Sequence, residues 1–97
     1  MIEIEIEKNS ISVKGHANYD KPGRDIVCAA VSVLLQTFTA SVEELTGDII
    51  NAEFQPGNAL IRYAALSPVS LYLLNSFTIG VEMIAENYPD NVRVCKH

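Results

Sequence analysis

The first ten residues, MIEIEIEKNS, set Ile2, Ile4 and Ile6 against Glu3, Glu5 and Glu7 in strict alternation. Successive side chains of an extended chain point to opposite faces, so this segment reads as a strand with one apolar and one wet face. Lys8-Asn9-Ser10 has turn character. Ile11 and Val13 then resume the alternation against Ser10, Ser12 and Lys14, which makes residues 2–15 a hairpin. The pattern returns later: Ile50, Ala52 and Phe54 alternate with Asn51, Glu53 and Gln55, and Pro56-Gly57-Asn58 turns the chain into a partner strand over residues 60–64.

After each hairpin the apolar spacing widens to three and four. From Asp25 a helix is expected with Ile26, Ala29, Ala30, Val33, Leu34 and Phe38 on one side, running to about Leu45 before Gly47 stops it. Ser67-Pro68 starts a second helix, because serine caps exposed amides and proline at the first helical position loses no needed hydrogen bond. It should continue to about Asn87, with Val69, Leu73, Phe77, Gly80, Val81 and Ile84 as its buried stripe. Tyr63, Tyr72 and Phe77 read as core aromatics. Tyr88-Pro89-Asp90-Asn91 ends the helix and leaves Val92–Cys95 for a short last strand. The predicted fold is α+β: a mainly antiparallel sheet from two hairpins plus that strand, with two helices packed on it. At 97 residues and 48% hydrophobic content, a single domain over residues 1–97 folds without metal or disulfide staples.

The net charge of -5 is spread along the chain, and no concentrated basic patch exists to hold nucleic acid directly. A basic protein partner suits this charge better. The N-terminus lacks the basic start and unbroken apolar stretch of a signal peptide. Ser, Thr or Asn breaks the other apolar stretches before the roughly 20 residues that span a bilayer. The expectation is a soluble, cytoplasmic protein with no membrane association. In a reducing compartment Cys28 and Cys95 stay free thiols.

The stretch GHANYDKPGRDIVCAA, residues 15–30, holds the candidate chemistry. Residues 17–24 form a loop from the second strand to the first helix. If Asp25 caps that helix, Cys28 falls in the first turn, where unpaired amides and the helix dipole favour a thiolate, the nucleophilic form. Asp25 alone would oppose this by repulsion. A protonated His16 near both groups resolves the conflict, pairing with the sulfur while the carboxylate orients the ring. Gly15 permits a close backbone approach by a substrate or an unusual dihedral, although glycine also ends strands for purely structural reasons. Ser32, one turn beyond Cys28, could bond the histidine, line the pocket floor, or bond back to the carbonyl four residues earlier. Tyr19 either gates the site or merely covers its edge, and Arg24 is either a substrate contact or a solvated charge. His16, Asp20, Asp25 and Cys28 could supply mixed metal ligands, but no CxxC or HxxxH spacing supports a zinc site, so neither metal nor cofactor is expected. On spacing alone, Cys28 also suits a small core residue and His16 a satisfied loop-edge histidine.

At Gly15-His16-Ala17, and again at Asp25-Ile26-Val27-Cys28-Ala29-Ala30 with Ser32, the sequence resembles the ribosomal-processing cysteine protease (Prp) family of small bacterial proteins. The likeness covers essentially the whole chain, and the Tyr88-Pro89 helix ending adds to it. It implies a homodimeric α+β cysteine endopeptidase that removes the N-terminal extension of large-subunit ribosomal protein twenty-seven, cutting after a hydrophobic segment with paired phenylalanines. By the same likeness Cys28 matches the nucleophile and His16 the general acid and base, with Asp25, Ser32 and Gly15 at supporting positions. Family members often use the loop as a mobile flap, which Pro22 stiffens here. The oxyanion would be held by amides at the helix start, including that of Cys28. Two other readings fit the same residues. One is a non-enzymatic module that binds a ribosomal protein through its sheet edge or loop; the other is a thiol-transfer protein, which needs Cys95 within reach of Cys28.

Overall fold

The computed structural model describes all residues, Met1–His97. Its elements are β1 (Ile2–Ile6), β2 (Ser10–Lys14), α1 (Ile26–Leu45), β3 (Ile50–Gln55), β4 (Asn58–Tyr63), α2 (Pro68–Asn87) and β5 (Val92–Lys96). Five strands form one sheet in the order β3-β4-β2-β1-β5. All neighbours are antiparallel except β5, which runs parallel to β1 with Ile4 opposite Val94. The expected α+β fold is therefore the one observed.

Register lines up the alternation seen in sequence. Ile6 pairs with Ile11, Ile11 with Ile61 and Ile61 with Ala52, so one face of the sheet carries an unbroken apolar row. Ile4, Ile11 and Ile61 are fully buried there, and each such side chain stabilises the fold by about 1.5–3 kcal/mol relative to leaving it in water. Glu3, Glu5, Ser12 and Arg62 fall on the opposite, polar face. β4 begins at Asn58, earlier than expected, because Pro56 and Gly57 alone make the turn and Asn58 already pairs with Gln55.

Both helices cover the apolar face, and two expectations about them need correction. The buried stripe of α1 is Val27, Val31, Leu35, Phe38, Thr39 and Val42, whereas Ile26 and Val33 are 57% and 59% exposed. The helix is apolar nearly all round at its start, so periodicity did not single out one face, and the buried row lies one residue, about 100°, from the expected one. In α2, Phe77 and Val81 are buried with Ser70, but Val69 and Tyr72 face solvent, the latter 77% exposed. Tyr72 is not a core aromatic, whereas Tyr63 and Phe77 are. The helices cross closely at Gly80, where a Cβ would come within 2.9 Å of Leu34 Cδ1, and Phe38 and Phe77 pack with ring centroids 5.9 Å apart.

Each helix has 20 residues and is long and apolar enough to cross a bilayer, contrary to the sequence expectation. In this fold that apolar surplus is divided between the core and an exposed outer face.

Candidate active site

The site is built where β2 ends, the loop over residues 17–24 passes, and α1 begins. Asp25 caps α1 with extended backbone, and its Oδ1 accepts the amide hydrogens of Val27 and Cys28, each at 3.0 Å. Its Oδ2 accepts those of Tyr19 at 3.0 Å and Asp20 at 3.3 Å. Desolvation pushes this carboxyl up, but the amides of Cys28, Asp20, Tyr19 and Val27 together outweigh it and hold the group below its ordinary value. One carboxylate thus fastens the helix start and the loop to each other. Its hydrogen-bond partners here are the amides of Val27, Cys28, Tyr19 and Asp20, so it acts as cap and loop clasp, with His16 lining the same cleft.

Cys28 is half-buried in the first turn of α1, as the cap implied. Its sulfur accepts the Ala17 amide hydrogen at 3.3 Å. Ala17 is itself buried, and its carbonyl accepts a hydrogen from Asn91 Nδ2 at 2.9 Å. Tyr19 packs edge-on against Tyr88 with centroids 5.3 Å apart, so the loop rests on the turn that follows α2. The amides of Val27 and Cys28 are engaged by Asp25, which corrects the expectation that the Cys28 amide is available to an oxyanion.

His16 is exposed and lies against the β3–β4 turn. Gly57 there has φ +72°, and a Cβ on it would come within 2.7 Å of His16 Nε2. Gly15 donates its amide hydrogen to the Gly57 carbonyl at 2.9 Å, which ties the end of β2 to the same turn. Gly15 itself has φ +95°, the unusual dihedral expected from the sequence, and a Cβ on it would collide with the Met1 carbonyl oxygen, so its close neighbour here is the chain's own backbone.

His16, Cys28 and Ser32 open together on a cleft of about 410 Å³ whose other wall includes Phe54 and Gly57. A second cleft, on the loop side, shares His16, Cys28 and Ser32 and adds Asp25 and Arg24. Ser32 hydrogen-bonds neither His16 nor the carbonyl four residues before it; it lines the cleft. The structure thus brings together Gly15, His16, Asp25, Cys28 and Ser32. Cys95 does not join them: it pairs with Glu5 in the sheet register, on the face away from the helices, which removes the thiol-transfer reading. Glu5, Glu7 and His97 bring possible metal-ligand atoms within 4.8 Å of one another at a separate, largely exposed place.

Sequence reasoning named Ala17 only within the motif and gave it no role, and it missed Asn91, Gly57 and Phe54 at the site. Ala17, Asn91 and Gly57 act through backbone or across long separations, which periodicity does not report. Phe54 was assigned by its alternation to the apolar face, and it is there, but 48% exposed at the cleft.

Residues 1–93 match the family model described as Cysteine protease Prp. The ribosomal processing cysteine protease Prp of Mycoplasma genitalium is 30% identical over 92 residues, covering 95% of this chain and 92% of that protein. The fold matches an essential ribosomal processing protease Prp from S. aureus in complex with a covalently linked product peptide, with a TM-score of 0.94, 24% identity and full coverage of both chains. The same protease in complex with a substrate peptide matches with a TM-score of 0.88 and 23% identity, again over both whole chains.

Proposed function

The chain belongs to the family of Prp cysteine proteases, and from that premise we propose that it is the endopeptidase that removes the N-terminal extension of large-subunit ribosomal protein twenty-seven. The observation that carries this reading is that Cys28 and His16 share one cleft, with the sulfur at the start of α1 receiving an amide hydrogen.

The Cys28 thiolate attacks the scissile carbonyl carbon, and the carbonyl oxygen becomes an oxyanion. As charge leaves the sulfur, the Ala17 amide hydrogen, 3.3 Å from Sγ, is the donor best placed to follow it to that oxygen. Collapse breaks the C–N bond. Protonated His16 gives its proton to the departing amine, and a thioester to Cys28 remains. Water then attacks the thioester, neutral His16 takes its proton, and the acid product and free thiolate result. No metal or cofactor enters either step.

The proposal includes action as a homodimer in the cytoplasm, without nucleic acid or membrane. Ile26 and Val33 of α1 and Tyr72, Ile79 and Met83 of α2 are all about half exposed or more, an apolar outer surface that a second copy would cover. The direct test incubates the pure protein with the extended precursor and measures product masses. Shortening of the precursor at one position by the wild type, and none by Cys28→Ser or His16→Ala, is expected. An intact precursor with folded wild type overturns the protease reading for this substrate and favours a binding module.

A further inference from the structure

The side chain of Asn91 holds Ala17, the loop residue whose amide hydrogen meets the Cys28 sulfur. Asn91 follows α2, 63 residues beyond Cys28 in sequence, and lines neither of the two clefts on which Cys28 opens. Its three bonds fix it from three directions. Its amide donates to the Tyr88 carbonyl at 3.0 Å, its carbonyl accepts from the Ile2 amide at 2.8 Å, and its Nδ2 donates to the Ala17 carbonyl at 2.9 Å. The first two bonds anchor the residue to the end of α2 and the start of β1. The third spends that rigidity on a loop peptide.

We propose that Asn91 is a positioning residue for Cys28, acting through Ala17, whose amide hydrogen meets the sulfur. The carbonyl that Asn91 holds lies in the peptide unit shared with Asn18, and the amide that meets the sulfur lies in the unit shared with His16, so Asn91 restrains that amide through the backbone of the buried Ala17. Asn18, the next residue, has φ +56°, a left-handed conformation in which a loop reverses direction and which relaxes when its anchors are lost. Asp25 grips the loop at Tyr19 and Asp20, and Asn91 grips it at Ala17. Only the second grip lies on the residue that touches the sulfur.

The inference rests on the protease reading for its meaning, but its test reads the thiol directly. In a Cys95→Ser background, so that one thiol remains, iodoacetamide alkylation of wild type, Asn91→Ala and Asn91→Asp is followed from pH 5 to 10. Asn91→Asp keeps the shape while turning the donor into an acceptor. Both variants should alkylate about 3- to 10-fold more slowly at neutral pH, the loss expected of one hydrogen bond, while reaching the wild-type rate at the alkaline plateau. Precursor cleavage should lose kcat by a similar factor with KM little changed. A purely structural role lowers the melting temperature and leaves alkylation equal or faster, and that result overturns the inference. Should Asn91→Ala fail to fold, the near-isosteric Asn91→Asp decides. If wild type cleaves no precursor yet the variants alkylate slowly, the protease reading fails and the inference about the sulfur stands.

Discussion

His16 and Gly57 are in contact across the cleft: a single added carbon on the glycine would stand 2.7 Å from the imidazole Nε2. The turn between β3 and β4 therefore sets where the ring can sit. Two demands fall on one residue, a left-handed backbone for the turn and an absent side chain for the histidine.

Substitution at Gly57 separates those demands. Gly57→Ala should cost about 1–2 kcal/mol for the left-handed backbone and should also displace the ring. Gly57→Asn tolerates that backbone and recovers most of the stability, yet its Cβ still meets His16. Precursor cleavage by Gly57→Asn should fall at least about tenfold, since small misplacements of catalytic groups carry large rate penalties. Calorimetry and cleavage rates on the two variants check this, and full activity in Gly57→Asn would contradict it.

Asp25 governs stability in acid. Its folded-state carboxyl is held low by four amides against the upward push of desolvation, so its contribution is complete above the unfolded value near 3.8 and fades as pH falls through the lower folded value. Asp25→Ala should cost about 0.5–2 kcal/mol near neutrality, as helix caps do. The gap between wild type and variant in urea unfolding should stay constant from pH 7 to about pH 5 and close below about pH 4. Asp48 is also held low, by the Ser70 and Ser67 hydroxyls and the Ser67 amide, so the wild type retains acid sensitivity that only the comparison removes.

Tyr63 governs the alkaline side. Its hydroxyl donates across the β1–β2 turn to the Glu7 carbonyl at 3.1 Å and lies 3.4 Å from that of Ser10. Burial raises its ionisation above the ordinary 10.0, so folding favours the neutral phenol, and stability falls as pH climbs past the unfolded value. Tyr63→Phe should cost about 0.5–1.5 kcal/mol at neutral pH. It should also show a shallower loss above about pH 10. Chemical denaturation at pH 7 to 11 measures both.

The outer face of α2 predicts oligomeric state. Ile79 is 61% exposed between Tyr72 and Met83, and a glutamate placed there would be desolvated by a partner but harmless in a monomer. Sedimentation of Ile79→Glu should give the mass of one chain with unchanged circular dichroism, while wild type gives that of two. Equal masses for both proteins would remove this face from the interface.

The elements were legible because each rests on a local rule. The isoleucine–glutamate alternation fixed β1, the pairing of proline with glycine fixed the β3–β4 turn, and Asp25 and Ser67 marked both helix starts where the caps are found. What local rules could not rank was which apolar row of α1 turns inward, since Ile26, Val27, Ala30 and Val31 look alike to a periodicity argument. Tyr72 was misplaced for the same reason. At the site, the grouping of Gly15, His16, Asp25, Cys28 and Ser32 was readable because all lie within one short stretch. Its supports were not: Asn91 reaches Ala17 across 74 residues, and the contact between His16 and Gly57 joins two hairpins.

The placement of β5 beside β1 has a consequence for the order of assembly. A growing chain that has reached residue 90 already contains the cysteine, the histidine and the clasping aspartate. It still lacks the edge strand that lies along β1 and the amide that restrains Ala17. Long-range closure comes late because its entropy must be offset by contacts that do not yet exist. The sheet edge beside β1 and the hold on the Ala17 carbonyl are therefore completed by residues that follow both helices in the chain.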